Sequence, residues 1–276
     1  MTGSMACFTF NDTFFKLLNE ELPFYQVLFL RSLGATLILY VLARHMGVLT
    51  MPDRASDRWL IGLRTIAEVF AAYFFLTALV HIPIANATAI IQALPLTITL
   101  GAALFLREAV GWRRLLAILI GLAGVLLIVR PGGDDFTIYS IYAVLAVISV
   151  TIRDLTVRRM SDDAHSMMIA LVAVAGVLVF SGVGAAATDW KAMGAVQVGY
   201  LGGSMLFIFG AHVLSVMAMR VGEVGFVSQF RYASLLVALI LGVVVFGDWP
   251  DGLTLLGAAI VVATGLFTLW RERRVD

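Results

Sequence analysis

The chain has 276 residues, 61% of them hydrophobic and 13% charged, with a mean hydropathy of +0.97, whereas soluble domains carry about 45–50% apolar and about 25% charged residues. The sequence is therefore written for lipid. A net charge of +1, with no cluster of Lys and Arg interleaved with aromatics, argues against nucleic-acid binding, and the single cysteine, Cys7, excludes an intrachain disulfide and a thiolate metal site.

The first apolar run, 2–18, has no basic leader and no small-residue cleavage pattern, so it is expected to remain in the mature protein. It is short against the about 20 residues a spanning helix needs, which places the expected start slightly upstream. Within FTFNDTFF, Asn11 and Asp12 fall mid-helix, and Phe8, Asp12 and Lys16 share a face. Asp12 either pairs locally with Lys16 or faces a cavity, where Asn11 and Asp12 would bind substrate or a proton. The second run, 23–43, holds Arg31. In the third, 59–80, Arg64 and Glu68 stand one turn apart and can neutralise each other. If Arg64 instead snorkels to the interface, Glu68 is left near the midplane with Arg31 as its partner. Desolvation favours a neutral carboxyl and an arginine favours the ionised one, so a carboxylate that trades an arginine for a proton suits proton coupling.

The fourth run, 85–106, carries Thr88, Gln92, Pro95 and Thr99 as one polar stripe. Pro95 leaves the Ile91 carbonyl without its donor, and a kink is expected there; packing through hydroxyl residues is the alternative. The fifth, 112–129, has Gly121 and Gly124 for close helix approach. The sixth, 136–157, ends on Arg153 and Asp154, for which snorkelling and an Asp154–Arg158 pair are the favoured reading. The seventh run is 165–187; the eighth, 195–219, has Gly199, Gly202 and Gly203 for close helix approach and His212, read as a hydrogen-bonding residue before a proton relay. The ninth, 222–246, has Ser228, Arg231 and Ser234 spaced by three, with Gln229 and Tyr232 flanking Arg231. Arg231 is the leading substrate-site candidate, because it lies too deep for easy snorkelling. The tenth run is 252–270.

Run length and the lack of period-2 alternation predict helices rather than barrel strands. The expected fold is an all-α integral membrane protein of ten spans. Twelve basic residues (Arg44, Arg54, Arg58, Arg107, Arg113, Arg114, Arg158, Arg159, Arg220, Arg271, Arg273, Arg274) fall on one side, against Lys16, Arg130 and Lys191 on the other. By the positive-inside rule both termini are predicted to be cytoplasmic. The intramembrane charges Asp12, Arg31, Arg64, Glu68, Arg153, Asp154 and Arg231 predict a polar interior, since an unpaired charge at the bilayer centre costs at least about 2.5–3.5 kcal/mol.

Ten helices divide into two halves of five, 1–130 and 136–276, which insert in opposite orientations, as inverted-repeat transporters do. ALPLTITLGAALFLRE, 93–108, aligns at an offset of 140 with ASLLVALILGVVVFGD, 233–248. QALPLTITLGAALFLREAVGWRRLLAILIGLAGVLLIVRPG and its counterpart FRYASLLVALILGVVVFGDWPDG resemble the paired EamA domains of the drug/metabolite transporter superfamily over essentially the whole chain. Gly247-Asp248 replaces the family's usual Gly-Glu. NDT in the first helix, FLRS in the second and RDLTVRR in the sixth are similar to a bacterial branch of riboflavin importers and S-adenosylmethionine carriers.

The resemblance implies a secondary transporter of the bacterial inner membrane rather than an enzyme. It would move a small organic metabolite, with riboflavin first and amino acids or S-adenosylmethionine next. Asn11, Asp12, Arg31, Gln92, Gln229, Arg231 and Tyr232 are the candidate substrate ligands, and Glu68, then Asp12, the candidate proton carriers. Protons and the lipid bilayer are the expected partners; no cofactor or metal site is expected, since HExxH, GxSxG and P-loop patterns are absent. An integral membrane enzyme, the rival class, would need a cluster of acid, base or metal ligands near one interface.

Overall fold

The computed structural model describes residues 1–107, 111–132, 137–161, 163–221 and 230–272. They form helices α1 (Thr2–Glu21), α2 (Phe24–His45), α3 (Ala55–His81), α4 (Ile84–Ile91), α5 (Leu94–Gly101), α6 (Trp112–Val129), α7 (Ile138–Val157), α8 (Ser166–Ala186), α9 (Ala195–Val221), α10 (Ala233–Leu241) and α11 (Gly252–Glu272). Among the described residues, six units are long and apolar enough to cross a membrane: α2, α3, α4 with α5, α6, α7 and α8. Shorter apolar stretches, Ala195–Ala211, Phe230–Phe246 and Gly252–Thr268, lie in or around α9, α10 and α11.

Proline sets two of the helix ends. Leu22 (φ −107°, ψ 148°) and Ile82 (φ −120°, ψ 162°) are extended because each precedes a proline, so α1 turns into α2 and α3 into α4 across two residues. The fourth apolar run is divided: α4 stops at Ile91, and Pro95 falls in the first turn of α5, where its missing N–H is harmless. A 3₁₀ turn, Phe230–Tyr232, likewise precedes α10. Both α5 and α10 finish in a π-helical turn, Ala102–Leu106 and Gly242–Phe246. Each π turn is stopped by a left-handed residue, Arg107 (φ 58°) and Gly247 (φ 70°), which stand 140 positions apart.

The helices associate in antiparallel seams. α1 packs along α9, α3 along α7, α2 against α8 and α6 against α11, while α4 crosses α10. Lipid offers no hydrophobic drive between helices, so close approach through small residues supplies the packing. A Cβ added at Gly257 would lie 2.6 Å from the Gly124 carbonyl oxygen, so α6 and α11 meet backbone to backbone there. Phe15, Leu28, Leu79, Ile84, Ile90 and Leu96 are buried at the centre. The outer surface is apolar instead. All five tryptophans lie at or beyond helix ends: Trp59, Trp112 and Trp270 within terminal turns, Trp190 and Trp249 in connections. Such aromatic belts mark membrane interfaces.

Candidate functional site

The α3–α7 seam carries an ion network. Glu68, mid-way along α3, faces Arg153 of α7, whose Nη1 lies 3.4 Å from Oε1 and 3.3 Å from Oε2. Arg153 Nε donates to Asp154 Oδ1 at 2.8 Å. One guanidinium thus serves two carboxylates, and the partner of Glu68 comes from the other half of the chain rather than from Arg64 or Arg31. Asp154 is held by its neighbour in sequence. The side chains of Glu68 and Arg153 are each 23% exposed and that of Asp154 29%, so the network borders accessible space. Around it, Arg31 lies within electrostatic reach of Asp12 and Glu68, Arg64 of Glu68 and Asp154, and Arg231 of Asp154. Four arginines therefore meet three carboxylates, leaving one positive charge in excess.

Asn11 and Asp12 occupy the α1–α9 seam in different ways. Asn11 is fully buried, and its Oδ1 accepts the Ser204 hydroxyl of α9 at 2.8 Å. Its Nδ2 donates to Asp12 Oδ1 at 3.0 Å. Asn11 is thereby a helix-to-helix fastener that also orients the carboxylate beside it. Lys16 points elsewhere: its Nζ donates to the Ile82 carbonyl at 2.6 Å and lies 5.0 Å from the Phe246 ring centre. Asp12 is left facing Arg31, whose guanidinium sits 5.4 Å from the centre of the Phe15 ring.

The two broken helices meet at their breaks. Gln92, where α4 ends, donates Nε2 to the Arg231 carbonyl at 3.1 Å and to Ser234 Oγ at 2.6 Å. The Gln92 amide is thus engaged by the backbone of the Phe230–Tyr232 turn, and Thr99 Oγ1 bonds back to the Pro95 carbonyl at 2.8 Å. Tyr232 is buried. Gln229 lies outside the described residues. The buried Arg31 Nη1, Arg64 Nε and Nη1 and Tyr232 hydroxyl have no hydrogen-bond partner among the described residues, which leaves them free to serve a polar guest.

Aromatic rings cluster along both seams. Tyr73 contacts Phe24, Phe74, Tyr142 and Phe180 with centroids 5.6–6.3 Å apart. On the other seam Phe207 stacks on Phe10 at 5.0 Å and Phe14 at 5.8 Å. Rings with π faces beside arginine forks and carboxylates can hold a planar polar molecule by stacking and hydrogen bonding. Among the described residues no group of three or more His, Cys, Asp or Glu is placed to hold a metal ion.

Comparison with known proteins gives a consistent outcome. Residues 1–130 match the EamA-like transporter family. The chain is 26% identical to an S-adenosylmethionine uptake transporter of Rickettsia bellii, over 98% of this chain and 92% of that protein. It is 31% identical to a riboflavin transporter of Vibrio cholerae, over 77% of this chain and 72% of that protein. It is 28% identical to the pseudopaline exporter CntI of Pseudomonas aeruginosa, over 94% and 91%. One solved crystal structure superposes with a TM-score of 0.65 at 18% identity, covering 99% of this chain and 98% of the other, a likeness of fold.

Proposed function

The chain belongs to the EamA-like transporter family, and from that premise we propose that it is a ten-span secondary carrier of the bacterial inner membrane with both termini cytoplasmic. Transport of small molecules across a membrane is common ground among its relatives. The finer reading is alternating access between two inverted halves, 1–130 and 136–276, around the site formed by Asp12, Arg31, Glu68, Gln92, Arg153 and Arg231.

One observation carries this reading: the polar contacts at the site join one half to the other. Glu68 meets Arg153, Gln92 meets Arg231 and Ser234, and Asn11 meets Ser204. Any relative motion of the halves must break and remake these bonds, which gives a substrate bound there a direct hold on the conformational equilibrium. Inversion is supported by the packing. Counting ten spans as α1, α2, α3, α4 with α5, α6, α7, α8, α9, α10 and α11, exchange of the first five with the last five converts α1–α9 into α7–α3. The same exchange returns α2–α8, α4–α10 and α6–α11 onto themselves, and these pairs are all in contact.

The favoured substrate is a metabolite with a planar polar ring, riboflavin first and S-adenosylmethionine as the alternative. Purified protein in vesicles should take up labelled riboflavin saturably from a panel that also contains S-adenosylmethionine and amino acids. Saturable uptake of another panel member would replace riboflavin, and currents at near-diffusive rates would replace the carrier with a pore. Protons are the proposed coupling ion, with Glu68 the first carrier and Asp12 the second.

A further inference from the structure

Two side-chain contacts at the ends of the seams repeat at the 140-residue offset. At one, the Ser161 hydroxyl donates to Asp57 Oδ2 at 2.6 Å and the Ser161 N–H to Oδ1 at 3.3 Å, tying the turn after α7 to the first turn of α3. Asp57 is 2% exposed although it lies at a helix start. At the other, Gln197 Nε2 donates to Glu21 Oε2, tying the first turn of α9 to the last residue of α1. Asp57 and Gln197 are 140 residues apart, and so are Glu21 and Ser161. Both contacts cross from one half to the other, and exchanging the halves converts each into the other.

They lie on opposite faces. Lys16 near the end of α1 bonds the Ile82 carbonyl just past α3, so α1 and α3 finish on one face. Glu21 is on that face, and Asp57, at the start of α3, is on the other. The Glu21 face is the more firmly shut. Buried Gln26 donates to the Lys191 carbonyl at 2.8 Å and accepts the Lys191 N–H at 2.9 Å, while Lys191 Nζ donates to the Glu21 carbonyl at 2.9 Å. Met51, which stands 140 residues before Lys191, instead lines an open polar cavity of 630 Å³ with Thr50, Pro52, Asp53, Arg54 and Asp163.

We propose that Asp57–Ser161 and Glu21–Gln197 are a matched pair of gate latches, one at each membrane face, that open alternately; the proposal rests on the inverted-half reading above. Each joins a helix of one half to an element of the other, at the end of a seam whose middle holds the site. Each uses a carboxylate that water can serve equally well once the seam parts, so a latch can be released without leaving a charge unsatisfied. The second half places the Gln197 amide where the first half has the Asp57 carboxylate, and the Ser161 hydroxyl where the first half has the Glu21 carboxylate, so donor and acceptor positions are exchanged and the bond is kept.

The test uses full-length protein in sealed vesicles, with Cys7→Ser and a reporter cysteine at Phe74→Cys, labelled by a membrane-impermeant maleimide added on one side. Ser161→Ala should raise labelling from the cytoplasmic side about fivefold, the population shift expected for one lost net hydrogen bond, and lower it from the opposite side. Gln197→Leu should do the reverse. Ser161→Thr keeps the hydroxyl and should behave as the parent, which separates a latch from a folding defect. Rates unchanged by both Ser161→Ala and Gln197→Leu, or changed on the same side by both, would overturn the latches. In single variants lacking the reporter, Ser161→Cys and Gln197→Cys should label from opposite sides; labelling from one side would overturn the inverted halves themselves.

Discussion

Away from the Glu21–Gln197 end, the α1–α9 seam is crossed by contacts between uncharged groups: Ser204 to Asn11, Ser4 to the Ala211 carbonyl, with Phe10 and Phe14 stacked on Phe207 beside them. Along the α3–α7 seam the corresponding stretch carries Glu68, Arg153 and Asp154 in one bonded network. The two seams are counterparts in packing, yet the positions 140 residues away from Glu68, Arg153 and Asp154 are Ile208, Thr13 and Phe14. On the proposed inverted-half reading, a repeated frame holds an unrepeated site. Packing rules constrain size and close approach, and they act alike on both halves. A charge in the bilayer needs only one set of partners, so it has no reason to be duplicated.

The largest effect should follow from emptying the charged seam. Arg153→Ala leaves Glu68 and Asp154 without their shared donor and should abolish transport. It should also lower stability by about 2 kcal/mol, less than the about 3–5 kcal/mol for a fully buried pair because these side chains keep some exposure; thermal unfolding in detergent reads the second effect. Exchanging the charges, Glu68→Arg with Arg153→Glu, should restore the bond across the seam and recover stability only in part, since Asp154 then loses its donor and stands beside a second carboxylate, and it should not restore transport. A full recovery of both would mean that the network is only structural.

Arg231→Ala should also abolish transport, with the protein still present in the membrane at normal amounts, and Arg231→Lys should be impaired because a point charge does not replace a planar fork of donors. Uptake assays with quantification of membrane protein decide this, and normal uptake by Arg231→Ala would remove the residue from the site. The smallest effect belongs to the neutral seam. Asn11→Ala strands the Ser204 hydroxyl and frees Asp12, so it should cost about 1–2 kcal/mol of stability while transport falls only several-fold. If Asn11→Ala were as severe as Arg153→Ala, the distinction between the seams would fail.

Much of the frame is legible in the amino-acid sequence, because lipid forces each span to declare itself as an apolar run. The helix ends at Leu22 and Ile82 follow from the prolines after them, and the π turns ending at Arg107 and Gly247 fall at the offset visible between 93–108 and 233–248. The site is less legible. Glu68 has a cation one turn away, Arg64, and a reading along the helix pairs them; the partner that bonds it is 85 residues distant on a helix brought alongside by packing. Asp154 similarly has Arg158 at the favoured spacing, yet Arg153 beside it forms the bond. Asn11 looks like a ligand by its depth, and only its contact with Ser204 shows that it fastens helices. The latches left no local signal at all, since Asp57 and Glu21 read as ordinary carboxylates at helix ends.

The central claim is that the charged seam couples transport to protons through Glu68, and Glu68→Gln tests it most directly. Glutamine keeps the shape and remains permanently uncharged. In vesicles the variant should still exchange labelled substrate across the membrane but should no longer accumulate it when a pH gradient is imposed. Accumulation equal to that of the parent protein under the same gradient would contradict the account.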